Sequence, residues 1–140
     1  MSRPDLAGYR MARAKDILKE AQDALKQKHF ALAVNRSYYA MFTSARALLA
    51  MRDLDSSKHS GVISLFNRNL VKTSEFPAEI AKLLAKAKDL REEADYRDFV
   101  EISGEDAREQ IRNGRRFVAE AEKALSRMAQ SEEGPCRGGK

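Results

Sequence analysis

Tryptophan is absent, cysteine occurs once, histidine twice and proline three times in the 140 residues of this chain. The lone Cys136 excludes an intramolecular disulfide and offers no zinc site. His29 and His59 form no pair with metal-ligand spacing, so neither a metal nor a cofactor is expected. There is no Gly-rich phosphate loop and no defensible Ser-His-Asp spacing. No apolar run approaches the ~20 residues of a membrane span. The opening "MSRPDLAGYR" lacks the apolar core of an export signal. A protein of the reducing cytoplasm, without membrane contact, is the expectation.

Strand-forming runs are also nearly missing, while alanine, leucine, lysine, arginine and glutamate dominate. The length suits one domain, taken as residues 1–130, with 131–140 ("SEEGPCRGGK" from Ser131) expected as a disordered tail. Net charge is +5, which permits nucleic-acid binding without implying it. The excess concentrates in residues 29–72, where Arg36, Arg46, Arg52, Lys58, Arg68 and Lys72 face only Asp53 and Asp55.

Five helices are expected. The first runs from Pro4 to about Lys28, with Ala7, Met11, Ala14, Leu18, Ala21 and Leu25 as one apolar stripe. The second covers Phe30 to Arg52 and buries Phe30, Val34, Met41, Ala45 and Leu48. "DLDSS" breaks the pattern. A short helix from Ser60 to Lys72 presents Val62, Leu65 and Phe66 to the core, and "TSEFP" ends it. The fourth spans Ala78 to Arg97, with Ile80, Leu83, Leu84, Ala87 and Leu90 apolar. Ser103, followed by Asp106, signals the start of the fifth, which reaches about Met128. Its seam is Ala107, Ile111, Gly114, Val118, Ala121, Leu125 and Met128, and Gly114 lets a neighbouring backbone approach closely. Short connections make this an all-α, up-down bundle of four to five helices.

Four constellations could carry chemistry. "NRSYYAMF" gathers Asn35, Arg36, Tyr38 and Tyr39, either as buried aromatics with satisfied hydroxyls or as the wall of a polar cleft. "SSKHSG" places His59 at a helix start, where it could bind an anion or serve as acid or base, or be an ordinary loop residue. Arg108, Arg112, Arg115 and Arg116 share one side of the fifth helix, as a phosphate-contacting stripe or a solvated face. In "DLREEADYRDF", Arg91 and Asp95 are spaced to pair, and Tyr96 is turned by about 140° from Arg91. On spacing alone this is a salt-bridged helix end.

Three runs in order, "RSYYAMFTSARALL", "KHSGVISLFNRNLVK" and "LREEADYRDFV", resemble the HEPN family, in particular its short stand-alone prokaryotic members. The resemblance covers residues 5–126. It implies a helical bundle that forms a homodimer. It also implies a toxin–antitoxin pairing with a minimal nucleotidyltransferase, and a cleft for nucleotide or RNA. Many members are metal-independent ribonucleases in which an arginine is followed, after four to six residues, by a histidine. Here Arg91 has the arginine's place, but Tyr96 stands in the histidine's. The interval from Arg52 to His59 fits formally, but it crosses a loop and is read as coincidental.

In some such pairs the nucleotidyltransferase attaches nucleotides to a tyrosine near the arginine, and Tyr96 is the candidate by position. The resemblance thus assigns Arg91, Asp95 and Tyr96 to the cleft, with Asn35, Arg36, Tyr38 and His59 as further nucleotide- or RNA-binding residues. Three functions follow: a binding partner of a nucleotidyltransferase; a divergent endoribonuclease with Arg91 on phosphate and Tyr96 or His59 moving the proton; or a structural adaptor.

Overall fold

The computed structural model describes residues 2–96 and 101–138, with side chains described as far as Ser131. Five α-helices appear among the described residues: α1 (Arg3–Lys26), α2 (Phe30–Met51), α3 (His59–Phe66), α4 (Ala78–Tyr96) and α5 (Gly104–Gly138). A π-helical stretch, Asn67–Val71, continues α3 directly. No strand occurs among the described residues, and the all-α bundle expected from the sequence is what forms. None of the described helices is long and apolar enough to cross a membrane.

Helix starts follow their caps. The Ser2 hydroxyl accepts from the Asp5 N–H at 3.2 Å, ahead of Pro4 in the first turn. Ser103 and Asp106 close a reciprocal box: Asp106 N–H donates to Ser103 Oγ at 3.0 Å and Ser103 N–H to Asp106 Oδ2 at 3.4 Å. Three helical ends share one C-terminal motif. Lys28, Asp53 and Ser74 adopt φ of 62°, 59° and 65°. The following N–H groups of His29, Leu54 and Glu75 reach back to the carbonyls of Ala24, Leu49 and Leu70.

Two boundaries differ from expectation. The third helix is not α-helical throughout, because side chains compete for its carbonyls: Asn69 Nδ2 donates to Leu65 O at 2.9 Å and Thr73 Oγ1 to Asn69 O at 3.0 Å. The fifth continues past Met128 to Gly138. Arg97, the expected end of α4, lies outside the described residues.

α2 is the central helix and packs against α1, α3, α4 and α5. It buries fourteen of its residues, including Val34, Tyr38, Met41, Ala45 and Leu48. A Cβ on Gly114 would stand 3.3 Å from Leu18 Cδ1 and 3.7 Å from the Ser37 carbonyl, so glycine lets α5 lie close on α1 and α2. Phe66, Phe76 and Phe117, each almost wholly buried, meet with ring centroids 5.0–5.8 Å apart and join the α3 end to α5. The centrality of α2 positions the site: one face of it is shared by the start of α3 and the second half of α4.

Candidate functional site

α2 contributes Tyr38, Tyr39 and Phe42, successive positions on the face turned to α3 and α4. Tyr38 is fully buried, and its ring lies 5.1 Å from Tyr39 edge-on and 5.7 Å from Phe42 in a stacked arrangement. His59, the first residue of α3, enters this aromatic floor. Its ring is 4.3 Å from Phe42 and 5.6 Å from Tyr39, and its Nδ1 is 3.2 Å from the Tyr38 hydroxyl. The loop before it is fixed from below. Asp55 accepts from Arg46 NH2 at 3.0 and 3.2 Å and pairs with Arg10 at 3.5 Å. A Cβ on Gly61 would collide with the Ser56 side chain, so "KHSG" needs its glycine for α3 to begin beneath that loop.

α4 brings the charge. The Arg91 guanidinium carbon sits 5.4 Å from both the Tyr38 and the Tyr39 ring centres. Its side chain is only 15% exposed, and Nε approaches Asp95 Oδ2 at 3.3 Å. That contact is an ion pair without hydrogen-bond alignment, and the buried Nε–H has no acceptor among the described residues. One turn earlier, Lys88 pairs with Glu92 at 2.8 Å, and this hydrogen bond holds the Glu92 carboxyl below its ordinary range.

The electrostatics follow from burial and this ring of cations. Burial, then the charges of Arg91, Arg46 and Lys88, depress the pKa of His59, so the imidazole is neutral at pH 7. Burial pushes the Tyr38 hydroxyl up to about 12, so it stays protonated. Two tautomers then have different consequences. If Tyr38 donates to Nδ1, His59 presents an Nε2–H donor suited to an anion; if Nδ1–H donates to Tyr38, Nε2 is left as a base. Asp55 behaves otherwise. Burial alone would raise its carboxyl, but the Ser56 N–H and the arginines outweigh it and hold it low.

Of the candidates named from sequence, Arg91, Asp95, Tyr38 and His59 therefore meet in one cluster. Arg36 stands at its edge, 5.2 Å over the Tyr39 ring, with Nε donating to Asn35 Oδ1 at 3.0 Å. Tyr96 does not join them: it is 75% exposed and shares no bond or ring contact with the cluster among the described residues. Arg52, whose interval to His59 fitted the ribonuclease spacing, instead pairs with Glu75. Arg108, Arg112, Arg115 and Arg116 of α5 are exposed. Arg116 reaches Glu79 at 3.4 Å, and Arg115 donates to the Gln22 amide oxygen at 2.8 and 2.9 Å once that amide is oriented to accept. Phe42, Lys88 and Arg46 were missed from sequence. The four-residue step from Tyr38 to Phe42 was the available signal for the first; nothing local marks the other two.

Fold and site together define a small helical-bundle protein in which an arginine and one neutral histidine meet on a cluster of aromatic rings. It belongs to the HEPN family: the HEPN domain model matches residues 7–125. Similar chains include the UPF0332 protein of Thermotoga maritima, 38% identical over 117 residues, covering 84% of this chain and 89% of that one. Two proteins of Methanocaldococcus jannaschii are also similar. "Putative toxin MJ0142" is 31% identical over 81% of this chain and 77% of its own length. "Putative toxin MJ0605" is 33% identical over 82% of this chain and 85% of its own length.

Proposed function

We propose that this chain is the HEPN component of a toxin–antitoxin pair and binds RNA or nucleotide phosphate in the cleft formed by Arg91, His59, Tyr38 and Tyr39. The observation that carries this reading is the largely buried Arg91 guanidinium held over two tyrosine rings, one of them bonded to His59. A bound phosphate oxygen would accept from its terminal N–H groups, and a neutral His59 Nε2–H would supply a further donor. The similarity to chains named as toxins supports the cellular role. The expected partners are a minimal nucleotidyltransferase and a second copy of the chain, in a cytoplasmic setting.

Tyr96 suits the nucleotidyltransferase reading, because its 75% exposure at the end of α4 leaves the hydroxyl open to a partner enzyme. Incubation with that enzyme and ATP should add nucleotide mass to the wild-type chain and none to Tyr96→Phe. Equal modification of the two would remove Tyr96 from the proposal.

One observation favours the endoribonuclease as a second reading. His59 and Arg91 both pack on Tyr38, so His59 would take the role of the histidine missing at position 96. In that reaction the RNA 2′-oxygen bonds to phosphorus and its proton passes to His59 Nε2. The bond from phosphorus to the 5′-oxygen breaks, that oxygen takes a proton from solvent, and a 2′,3′-cyclic phosphate remains. Arg91 would stabilise the charge developing on the phosphate. Purified protein should then cleave RNA in EDTA, and both His59→Gln and Arg91→Ala should lose the activity. Cleavage persisting unchanged in both variants would reject the reading.

A further inference from the structure

Beside the Arg91 cleft runs a second feature, a groove of about 470 Å³ between the α3–π helix and α4. Ser60, Ile63, Ser64, Asn67, Arg68 and Lys72 line one side and Lys88 the other, with no acid among these described lining residues. Lys88 lies one turn before Arg91 on α4, and Ser60 follows His59, so the groove opens directly beside the cleft. Lys88 is paired with Glu92, whereas Arg68 and Lys72 are exposed to solvent.

The π stretch explains how these residues share a face. Four-residue steps along an α-helix advance the direction by about 40° each, so 60, 64, 68 and 72 would wind away from one another. From Asn67 to Val71 the bonding widens to five-residue spacing, with Lys72 N–H donating to Asn67 O at 2.9 Å. The wider turn takes up the excess and returns Lys72 to the line of Ser60 and Ser64. Such local widening is frequent at functional sites.

We propose that this groove is a track for the sugar-phosphate backbone of single-stranded RNA, leading it into the Arg91–His59 cleft; the inference rests on the phosphate-binding reading of that cleft. Length decides the ligand. From Ser60 to Lys72 the helix advances roughly 15–18 Å, farther than the phosphates of one nucleotide reach and enough for several backbone phosphates. Single-strandedness follows from the aromatic cluster, where an unpaired base would stack on the half-buried Tyr39 ring by displacing Arg36 from it. Serine and asparagine hydroxyl and amide groups add sequence-independent contacts to phosphate and ribose.

The test uses fluorescein-labelled 2′-O-methyl oligouridylates, which resist attack by a 2′-hydroxyl, at lengths of about two and about ten nucleotides. Binding is read by fluorescence anisotropy over a salt series for the wild type, the double variant Arg68→Ala/Lys72→Ala, and Arg91→Ala. The double variant should bind the long oligomer about 25-fold more weakly at about 0.1 M salt, with the log–log salt slope smaller by about 1.4, as the loss of two single-strand phosphate contacts requires. Its binding of the short oligomer should be unchanged. If the double variant binds the long oligomer like wild type while Arg91→Ala weakens both lengths, the track is rejected and the cleft stands. If the double variant weakens the long oligomer and Arg91→Ala changes nothing, the track stands and the Arg91 reading fails. Loss of nucleotidyltransferase capture by the double variant, with RNA binding intact, would make the groove a protein-docking surface and overturn the inference.

Discussion

Replacing Arg91 by alanine should make His59 easier to protonate and flatten the dependence of stability on pH near neutrality. In the native protein, burial and then the Arg91 charge depress the His59 pKa below 6.5. Between that depressed value and 6.5 the unfolded chain binds more protons than the folded one, so stability rises with pH through this window and levels off above it. Removing Arg91 deletes the largest charge contribution, leaving burial, Arg46 and Lys88. The His59 pKa should rise toward 6.5 without reaching it, and the window should narrow.

The substitution also has a pH-independent cost. A largely desolvated cation over aromatic rings contributes about 1–2 kcal/mol, and the Asp95 pair adds a few tenths. Relief of the unsatisfied Nε–H offsets part of this. A net loss of about 1 kcal/mol corresponds to a fall in Tm of roughly 3–5 °C for a domain of this size. The assay is thermal unfolding followed by circular dichroism between about pH 5.5 and pH 7.5, with an NMR titration of the His59 ring. The Tm difference between the two pH values should be smaller in Arg91→Ala than in wild type. An equal or larger difference, or a His59 pKa that stays put or falls, would refute the placement of Arg91 beside His59.

Tyr38→Phe should cost about 1 kcal/mol and alter the His59 tautomer, because it deletes the hydroxyl at 3.2 Å from Nδ1; denaturant unfolding would measure the first and ring ¹⁵N shifts the second. Phe117→Ala should destabilise by about 3–5 kcal/mol, since a fully buried ring between Phe66 and Phe76 leaves a cavity; denaturant unfolding would measure it. Lys28→Gly should stabilise by about 0.5–1 kcal/mol, because lysine is held at φ 62° where glycine is unstrained. A destabilised variant would show that the lysine side chain outweighs that strain.

Much of the fold was legible because its signals are local. Ser103 with Asp106, Pro4 and the pre-proline Phe76 each act within a turn or so, and the helix boundaries followed them. The apolar stripes were legible only approximately. Each helix packs against more than one neighbour, so its buried face is wider than a single row of residues. In α1 it takes in Ile17 and Ala24, each about 100° round from Leu18 and Leu25, which are only partly covered. In α5 it takes in Phe117 and Ala124 and leaves Leu125 half-covered.

The site was harder to read for a different reason. Arg91 and Asp95 announce themselves by a four-residue step. His59 is separated from Arg91 by most of α3 and half of α4, and only the packing of both on α2 brings them to Tyr38. Along α4 itself the arginine's spacing leads only to Tyr96, which is exposed to solvent. The π stretch depends on the side-chain bonds of Asn69 and Thr73, and no apolar periodicity marks it.

The most direct test of the central claim, that Arg91 and His59 serve one phosphate site, is an NMR titration of the His59 ring with a 2′-O-methyl RNA oligomer in wild type and Arg91→Ala. In wild type the His59 resonances should shift saturably and its pKa should rise, because a bound phosphate favours the imidazolium. Arg91→Ala should lose that saturable response. RNA that binds while leaving His59 unmoved, or that moves it equally without Arg91, would contradict the claim.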